Sequence, residues 1–479
     1  MIEGLKPYAE SAKTKPMTRT SQINIPWLTA TPEHWKVVRS KGLFTTRTER
    51  ARSDDEQLSA TQAYGVIPQK EFENRVGRKV VRITQHLEKR AHVEPDDFVI
   101  SMRSFQGGLE RAWARGCIRS SYVVLKPSPK THVGYFAHLF KSLDYVRALQ
   151  ATANFIRDGQ DLNFNNFSLV DLPLPPLDEQ AAIAKCLDHA NRKIDGFIRA
   201  KRKLIGLLNE QKQAIIHRAV TRGLDPDVPL KPSGVPWLGD IPAHWEVRRI
   251  GRFAKVGNGS TPSRGNTTYW HGGSYPWLNS SQVNRGLIDC SDQFVTREAL
   301  RECHLPKVEA GSVLVAITGQ GKTRGMSAIL AVEATINQHI AYITARPSII
   351  STDFLHITLA AAYSTLRALS EDSGSTKGAL TCEDLKRFSL PIPPHDEQKE
   401  LVDVLNRETS TANAAITRTE REIALMQEYR TRLTADIVTG KLDVREAAAR
   451  LPEVSADEEA AAGLEEMDED GLDAEGAEA

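Results

Sequence analysis

Pro173-Leu174-Pro175-Pro176-Leu177-Asp178-Glu179-Gln180 and Pro391-Ile392-Pro393-Pro394-His395-Asp396-Glu397-Gln398 are one stretch written twice, 218 positions apart. The shift then holds without a gap to Val220-Thr221-Arg222-Gly223-Leu224-Asp225 against Val438-Thr439-Gly440-Lys441-Leu442-Asp443. Each copy opens on prolines, runs about forty residues without another, and exits at Gly223 or Gly440. Proline suits the approach to a helix and glycine its exit, so the stretch predicts two long helices. A repeat of this length fixes the architecture as a tandem duplication.

The helices carry a period as well as a length. In the first copy Ile183, Leu187, Ala190, Ile194, Phe197, Lys201, Leu204, Leu208, Gln211 and Ile215 step by four and three, the seam of a coiled coil. The same register in the second copy places Glu408, Thr419 and Glu422 in the seam. A shifted register through Leu405, Ala412, Ile416, Ile423, Met426, Leu433 and Ile437 does better. Each helix would run roughly 60 Å at about 1.5 Å per residue. They are expected to pack on each other as a spacer.

Composition narrows the class. A chain of 479 residues has room for several domains. It contains no apolar run near 18 residues and no apolar leader, which predicts a soluble, cytoplasmic protein without membrane contact. Cys117, Cys186, Cys290, Cys303 and Cys382 form no Cys-x-x-Cys pair, which argues against zinc and against a disulfide framework. The net charge of +1 conceals an asymmetry. Residues 451–479 hold twelve Asp or Glu and no Lys or Arg, which leaves 62 basic against 49 acidic residues on the first 450. A body that basic suits a polyanion partner. The tail is expected to be disordered.

The segment before each variable region also repeats. Leu5-Lys6-Pro7 recurs as Leu230-Lys231-Pro232, and Pro26-Trp27-Leu28 as Pro236-Trp237-Leu238. Pro32-Glu33-His34-Trp35-Lys36-Val37 recurs as Pro242-Ala243-His244-Trp245-Glu246-Val247. With no acid at a fixed spacing, the Trp and His read as packing anchors. The offset grows from 210 at these tryptophans to 218 at the prolines, so the second variable region is eight residues longer. Their shared skeleton is strand-like at Phe98-Val99-Ile100-Ser101 and Val313-Leu314-Val315-Ala316, then a polar glycine-bearing loop, then strand-like again at Tyr122-Val123-Val124-Leu125 and Ile340-Ala341-Tyr342-Ile343. Helical segments are expected to start near Phe136 and Phe354.

Few motifs carry chemistry. Ala316-x-x-x-x-Gly321-Lys322-Thr323 fits a relaxed phosphate loop, but Ala replaces the first glycine and Arg324-Gly325 stand where a helix should start. There is no glycine-rich cofactor fingerprint, no Asn-Pro-Pro-Tyr-like step, no Gly-x-Ser-x-Gly, no His-Glu-x-x-His and no metal spacing among the 13 histidines. No catalytic, cofactor-binding or metal-binding residue is therefore assigned. Asp178-Glu179 and Asp396-Glu397 sit at helix starts, where free N–H groups and the dipole favour anions, so a capping role is expected.

On these residues the chain resembles the specificity subunit of type I restriction–modification systems. The resemblance rests on 172–183 with its echo at 390–401, on the Pro-x-His-Trp-x-Val repeats and on Gly440-Lys441-Leu442-Asp443, and it covers nearly all of 1–443. It implies an α+β protein: two pseudo-repeated α/β target-recognition domains separated by two long antiparallel coiled-coil helices. The expected order is a linker segment 1–38, recognition domain 39–172, helix and linker 173–247, recognition domain 248–390, helix 391–450 and acidic tail 451–479. The resemblance implies a non-catalytic subunit that binds double-stranded DNA and carries two methyltransferase subunits, with restriction/translocase subunits joining. The acidic tail departs from it. A recognition subunit of a related bipartite-site restriction system is the nearest alternative; a phosphate-loop NTPase and a coiled-coil scaffold are remoter ones.

Base readers would come from polar loops, with Arg suited to guanine edges and Gln to adenine edges. The expected DNA contacts are Arg103, Ser104, Gln106, Arg115 and Arg119 in the first region. In the second they are Asn279, Ser281, Gln282, Gln320, Lys322, Arg324, Asn337 and Gln338.

Overall fold

Proline decides where each long helix begins. In the computed structural model the chain leaves Pro176 as a helix over Leu177–Arg222 and leaves Pro394 as a helix over His395–Val438. The structure describes residues 5–8, 14–16, 27–28, 30–77, 79–80, 89–101, 108–152, 155–156, 159–160, 162–319, 322–371 and 378–452. The acidic tail from 453 lies outside them. Both helices end at a glycine in the left-handed region, Gly223 (φ 74°) and Gly440 (φ 76°), the conformation that closes a helix without a Cβ penalty. Gly440 is also held by space, since a Cβ there would lie 2.5 Å from Pro32 Cδ.

The chain forms two compact units, residues 1–201 with 421–479, and residues 202–420. The first is thus assembled from both ends of the chain. Lys6–Pro7 pairs antiparallel with Leu442–Asp443, and Tyr8 N–H donates to Lys441 O at 3.0 Å. The Lys-Pro repeat is thereby corrected. The strand that pairs ahead of His34-Trp35 is Thr14–Pro16, in the same register that Leu230–Pro232 takes ahead of His244-Trp245. Lys6-Pro7 has the same two residues but another partner.

In the first unit a four-stranded antiparallel sheet runs in the order Glu110–Arg111, Phe98–Ser101, Tyr122–Pro127, Phe44–Thr46. Helices Val133–Lys141, Leu143–Gln150 and Phe164–Leu169 follow in sequence. Their aromatic faces meet the sheet in one core. Phe44 packs edge-on against Phe98, Phe136 and Phe167 at centroid distances of 5.1–5.9 Å. The strand Asp171–Leu174 then pairs with Lys36–Arg39, which returns the chain to the linker before the long helix starts.

The second unit repeats the plan on a different sheet. Five strands lie in the order Ala254–Asn258, Ile340–Ala345, Val313–Ala316, Ser327–Leu330, Leu287–Ile288. A second sheet joins Gln293–Val295, Tyr275–Leu278 and Thr335–Ile336. Thr352–Ala361 is the helix expected near Phe354, and Ser389–Ile392 pairs with Glu246–Arg249 as the closing strand.

The doubled Glu-Gln explains the doubled Trp. Glu179 accepts from Trp35 Nε1 at 2.9 Å, and its other oxygen lies 2.8 Å from His34 Nε2. Glu397 accepts from Trp245 Nε1 at 3.0 Å and meets His244 Nε2 at 2.8 Å. Both tryptophans are fully buried, so each indole N–H needs a partner. The acids expected to cap the helices are therefore, at Glu179 and Glu397, acceptors for the linker; the partner of each Trp was 144 or 152 positions away. The adjacent glutamines bridge to the variable regions. Gln180 accepts from His132 N–H and donates to Lys130 O and Pro175 O. Gln398 accepts from Ser351 N–H and donates to Ile349 O and Pro393 O. The copies differ in one respect. Tyr8 Oη also donates to Glu179, and burial pushes that carboxyl up to about 7 although Arg445 nearby pulls it down.

The long helices pair antiparallel in each unit. In the first, Asp195 meets Arg430 and Lys201 Nζ meets Glu422 at 2.7 Å, while Ile183 and Leu187 share a core with Leu433 and Ile437. In the second, Lys212 Nζ meets Asn413 at 2.5 Å, and Val220 shares a core with Leu401 and Leu405. On the first helix the covered stripe leaves the heptad register after Ile194. It passes through Ile194, Ile198, Lys201, Ile205 and Leu208, so that Leu204 is 41% and Phe197 is 37% exposed while Ile198 is buried. Ile183, Leu187 and Ile194 are buried, and Leu208 and Ile215 are half-buried. On the second helix Leu405 and Leu433 are buried and Ile416, Ile423 and Met426 half-buried. Among the described residues no helix is long and apolar enough to cross a membrane.

Candidate nucleic-acid interface

In the second unit four chain segments leave the sheets at one end. Asn258 pairs with Ala341, Ala316 with Ile340, and Leu278 runs parallel to Ile336, so residues 259–264, 279–281, 317–318 and 337–339 emerge together. Gly259 permits the approach. A Cβ there would sit 1.7 Å from Ile336 O, a distance that excludes any other residue without displacing the backbone.

These segments carry a connected row of polar side chains. Thr261 Oγ1 donates to Gln338 Oε1 at 2.5 Å, Gln338 Nε2 lies 3.1 Å from His339 Nε2, and His339 Nδ1 lies 2.6 Å from Thr318 Oγ1. Asn279 accepts from Ser281 through both backbone and hydroxyl. Donors and acceptors fixed in one row on rigid strand ends suit the edges of base pairs better than loops that must be ordered on binding.

Indole groups hold this edge in place. Trp277 Nε1 donates to Ser260 O at 3.2 Å and Trp270 Nε1 to Ser263 O at 3.0 Å, which pins the loop that presents Thr261. Arg264 follows in that loop. Its guanidinium lies 3.9 Å from the Trp270 ring centroid and 4.9 Å from that of Trp277, and donates to Gln293 Oε1 at 2.9 Å. The arginine borders an open depression of about 470 Å³ lined also by Thr267, His271 and Phe294. A stacked, pre-oriented guanidinium with donors to spare suits an anionic oxygen or a guanine edge.

The structure sorts the expected contacts. Asn279, Ser281, Lys322 and Gln338 are at this end with exposed or half-buried side chains. Gln282, Arg324 and Asn337 are on the same elements but 3%, 6% and 5% exposed. Gln282 donates to Asp292, Arg324 to Gly378 O, and Asn337 accepts from His339 N–H, so these three support the edge rather than face outward. Burial of a polar side chain cannot be read from a polar loop. Gln320 lies outside the described residues. Sequence reasoning missed Thr261, Arg264, Thr318 and His339, which sit two to six residues beyond strand ends that only the sheet register brings together. The Trp-bearing stretch 270–277 was the one available signal.

The phosphate-loop alternative meets a contrary geometry. After Val313–Ala316 the chain turns at 322–325 and returns as the antiparallel strand Ser327–Leu330, with Leu314 opposite Ala328. No helix starts at Thr323, so there is no N-terminus to face a phosphate.

The first unit has the corresponding end where Ser101 pairs with Tyr122 and Arg119–Tyr122 form a turn closed by Tyr122 N–H to Arg119 O at 3.1 Å. Arg119 is exposed there. Arg103, Ser104 and Gln106 lie outside the described residues. Arg115 is at the opposite end of the strand Gly116–Ile118, in ion pairs with Asp54 at 2.8 Å and Asp55 at 3.6 Å, so it is not brought together with Arg119. Among the described residues no group of His, Cys, Asp and Glu could hold a metal ion.

Comparison with known proteins agrees with this architecture. The profile of the type I restriction modification DNA specificity domain matches residues 32–204 and again 242–424. The chain is 24% identical over 265 residues to the specificity subunit of the type I restriction enzyme EcoR124I/EcoR124II of Escherichia coli, 55% of this chain and 62% of that one. It is 24% identical over 424 residues to the EcoKI specificity subunit of Escherichia coli K12, 80% of this chain and 86% of that one. The fold resembles a chain solved in a study of complex assembly and conformational transition of the type I R-M system, with a TM-score of 0.57 at 15% identity over 86% of this chain and 99% of that one. The two matches of the domain profile together cover well over half of the sequence, and the chain belongs to the type I restriction modification DNA specificity domain family.

Proposed function

We propose that this chain is the target-recognition subunit of a type I restriction–modification complex. It reads a bipartite, asymmetric site in double-stranded DNA, one half with each recognition region. It docks methyltransferase subunits, two of them, and restriction/translocase subunits, and performs no chemistry itself. Its work is in the cytoplasm, where its DNA is. The observation that carries this reading is the polar row Thr261, Gln338, His339 and Thr318 fixed at the strand ends of the second region. A different sequence stands at the matching end of the first region, which supports two unlike half-sites on one frame.

Base pairs would be read by that row together with Asn279 and Ser281, and in the first region by Arg103, Ser104, Gln106 and Arg119. Lys322 and the arginines at the rim would hold phosphates, which fixes register without carrying sequence information. Exchange of residues 248–390 for those of a relative tests the reading. The altered complex should methylate a target changed in one half only, as read by methylome sequencing. A change in both halves, or in neither, refutes it. Purified chain incubated with DNA and a labelled methyl donor should transfer no label.

A further inference from the structure

The polar row at the edge of the second unit has a direction. Gln338 Nε2 carries only hydrogens, so across the 3.1 Å to His339 Nε2 it donates and the ring nitrogen accepts. A neutral ring then holds its one proton on the other nitrogen, and Nδ1 donates to Thr318 Oγ1 at 2.6 Å. At the far end Thr261 Oγ1 donates to Gln338 Oε1 at 2.5 Å. The protons point the same way through Thr261, Gln338, His339 and Thr318.

The imidazole is the member that holds this direction. Its backbone is tied on both sides: His339 N–H donates to Asn337 Oδ1 at 3.0 Å, and its carbonyl accepts from Ile317 N–H at 2.9 Å. Asn337 is itself buried. A threonine hydroxyl donates or accepts as its neighbour requires, and an amide can turn over. A proton on Nε2 in place of Nδ1 would demand Gln338 Oε1 at the ring, and the whole row would reverse.

The direction decides what the exposed amide of Gln338 offers outward. An amide has two N–H donors and two acceptor sites on its oxygen, and the row uses one of each. One N–H on the His339 side and one acceptor on the Thr261 side remain. In the major groove adenine presents N7 as acceptor beside N6–H2 as donor, and their order along the groove reverses between A·T and T·A. An amide fixed in one direction separates these two pairs; one that turns freely takes both.

We propose that His339 is a positioning residue that fixes the amide of Gln338, so that the second region reads adenine on one strand and rejects the same pair reversed. This rests on the DNA-reading function proposed above and adds the base and the strand. Gln338 touches the base, and His339 acts through it.

Sites selected by the full chain from a randomised duplex pool test it. The position whose preference is lost in Gln338→Ala should, in the unaltered chain, favour A·T in one orientation over the other by at least about ten-fold. His339→Glu offers only acceptors to Gln338, so it should keep that orientation while its charge weakens binding on all sequences. His339→Lys offers only donors, so it should turn the amide and shift the preference to the reversed pair. An unchanged orientation in the lysine variant, or equal loss of preference in both variants, overturns the proposal. So does selection by the unaltered chain of a site without A·T at that position, which leaves the DNA-reading function standing. Selection of no sequence at all would refute that function and this inference together. If the variants do not fold, nitrogen-15 spectra of the unaltered chain with labelled histidine decide: Nε2 of His339 should be bare and Nδ1 protonated, and the opposite tautomer overturns the proposal.

Discussion

The Glu-Gln motif is duplicated, yet its two glutamates should not be equally costly to remove. Glu179→Ala strips a partner from Trp35 Nε1 and from Tyr8 Oη, and both residues are at most 1% exposed. Glu397→Ala strips a partner from Trp245 Nε1 alone, because the side chain of His244 is 47% exposed and can turn to water. A buried donor left unpaired costs about 1–3 kcal/mol. The first substitution should therefore cost about 4 kcal/mol and the second about 2 kcal/mol. Glu179→Gln keeps an acceptor and should recover about half of the loss. Hydrogen exchange under mild denaturant, followed by mass spectrometry, reads each unit separately through peptides around 30–45 and 240–255. Glu179→Ala should also release 5–8 from its pairing with Lys441 and Leu442, since Tyr8 loses the bond that fixes it. Equal costs in the two units, or a larger cost at Glu397, would refute the view that the buried carboxylate joins the chain ends.

Other consequences can be checked in parallel. Gln338→Ala or Thr261→Ala should relax base preference at one position of one half-site, by about 1–3 kcal/mol. Arg264→Ala, if the arginine holds a phosphate, should weaken binding evenly on all sequences and lower the salt slope by about one. Gly259→Ala forces a Cβ against Ile336 O and should abolish reading of that half-site while leaving the first unit folded, as hydrogen exchange would report. Burial holds Glu110 and Glu179 up to about 7, above the value of an exposed glutamate, so the unfolded chain loses these protons first as pH rises. The stability of the first unit should then be greatest below about pH 4.5 in this term and decline through pH 7, by up to about 3 kcal/mol per group. Glu110→Gln with Glu179→Gln should flatten the profile measured by urea unfolding from pH 5 to 8.

What could be read from the sequence was whatever a local pattern determines. Pro176 and Pro394 start helices because a ring without an N–H costs nothing at that position, and Gly223 and Gly440 end them because no Cβ opposes a positive φ. Contacts between distant residues were not legible. The heptad count placed Leu204 in the seam, but the seam belongs to two helices, and only their packing decides that Ile198 turns inward. The acid that Trp35 needs does not lie nearby in sequence; it is Glu179, and the repeat places Glu179 and Glu397 at matching positions in both copies. Two motifs duplicated with nearly the same offset are constrained by a common structure, and the simplest such constraint is mutual contact. The same argument fails for Thr261, Arg264 and His339. They lie in the part that differs between copies, where no echo marks a residue and only the register of the sheet brings strand ends 258, 278, 316 and 340 to one surface. A protein that must change what it reads while keeping how it is built concentrates its legible sequence in the frame and leaves the reading surface without a pattern.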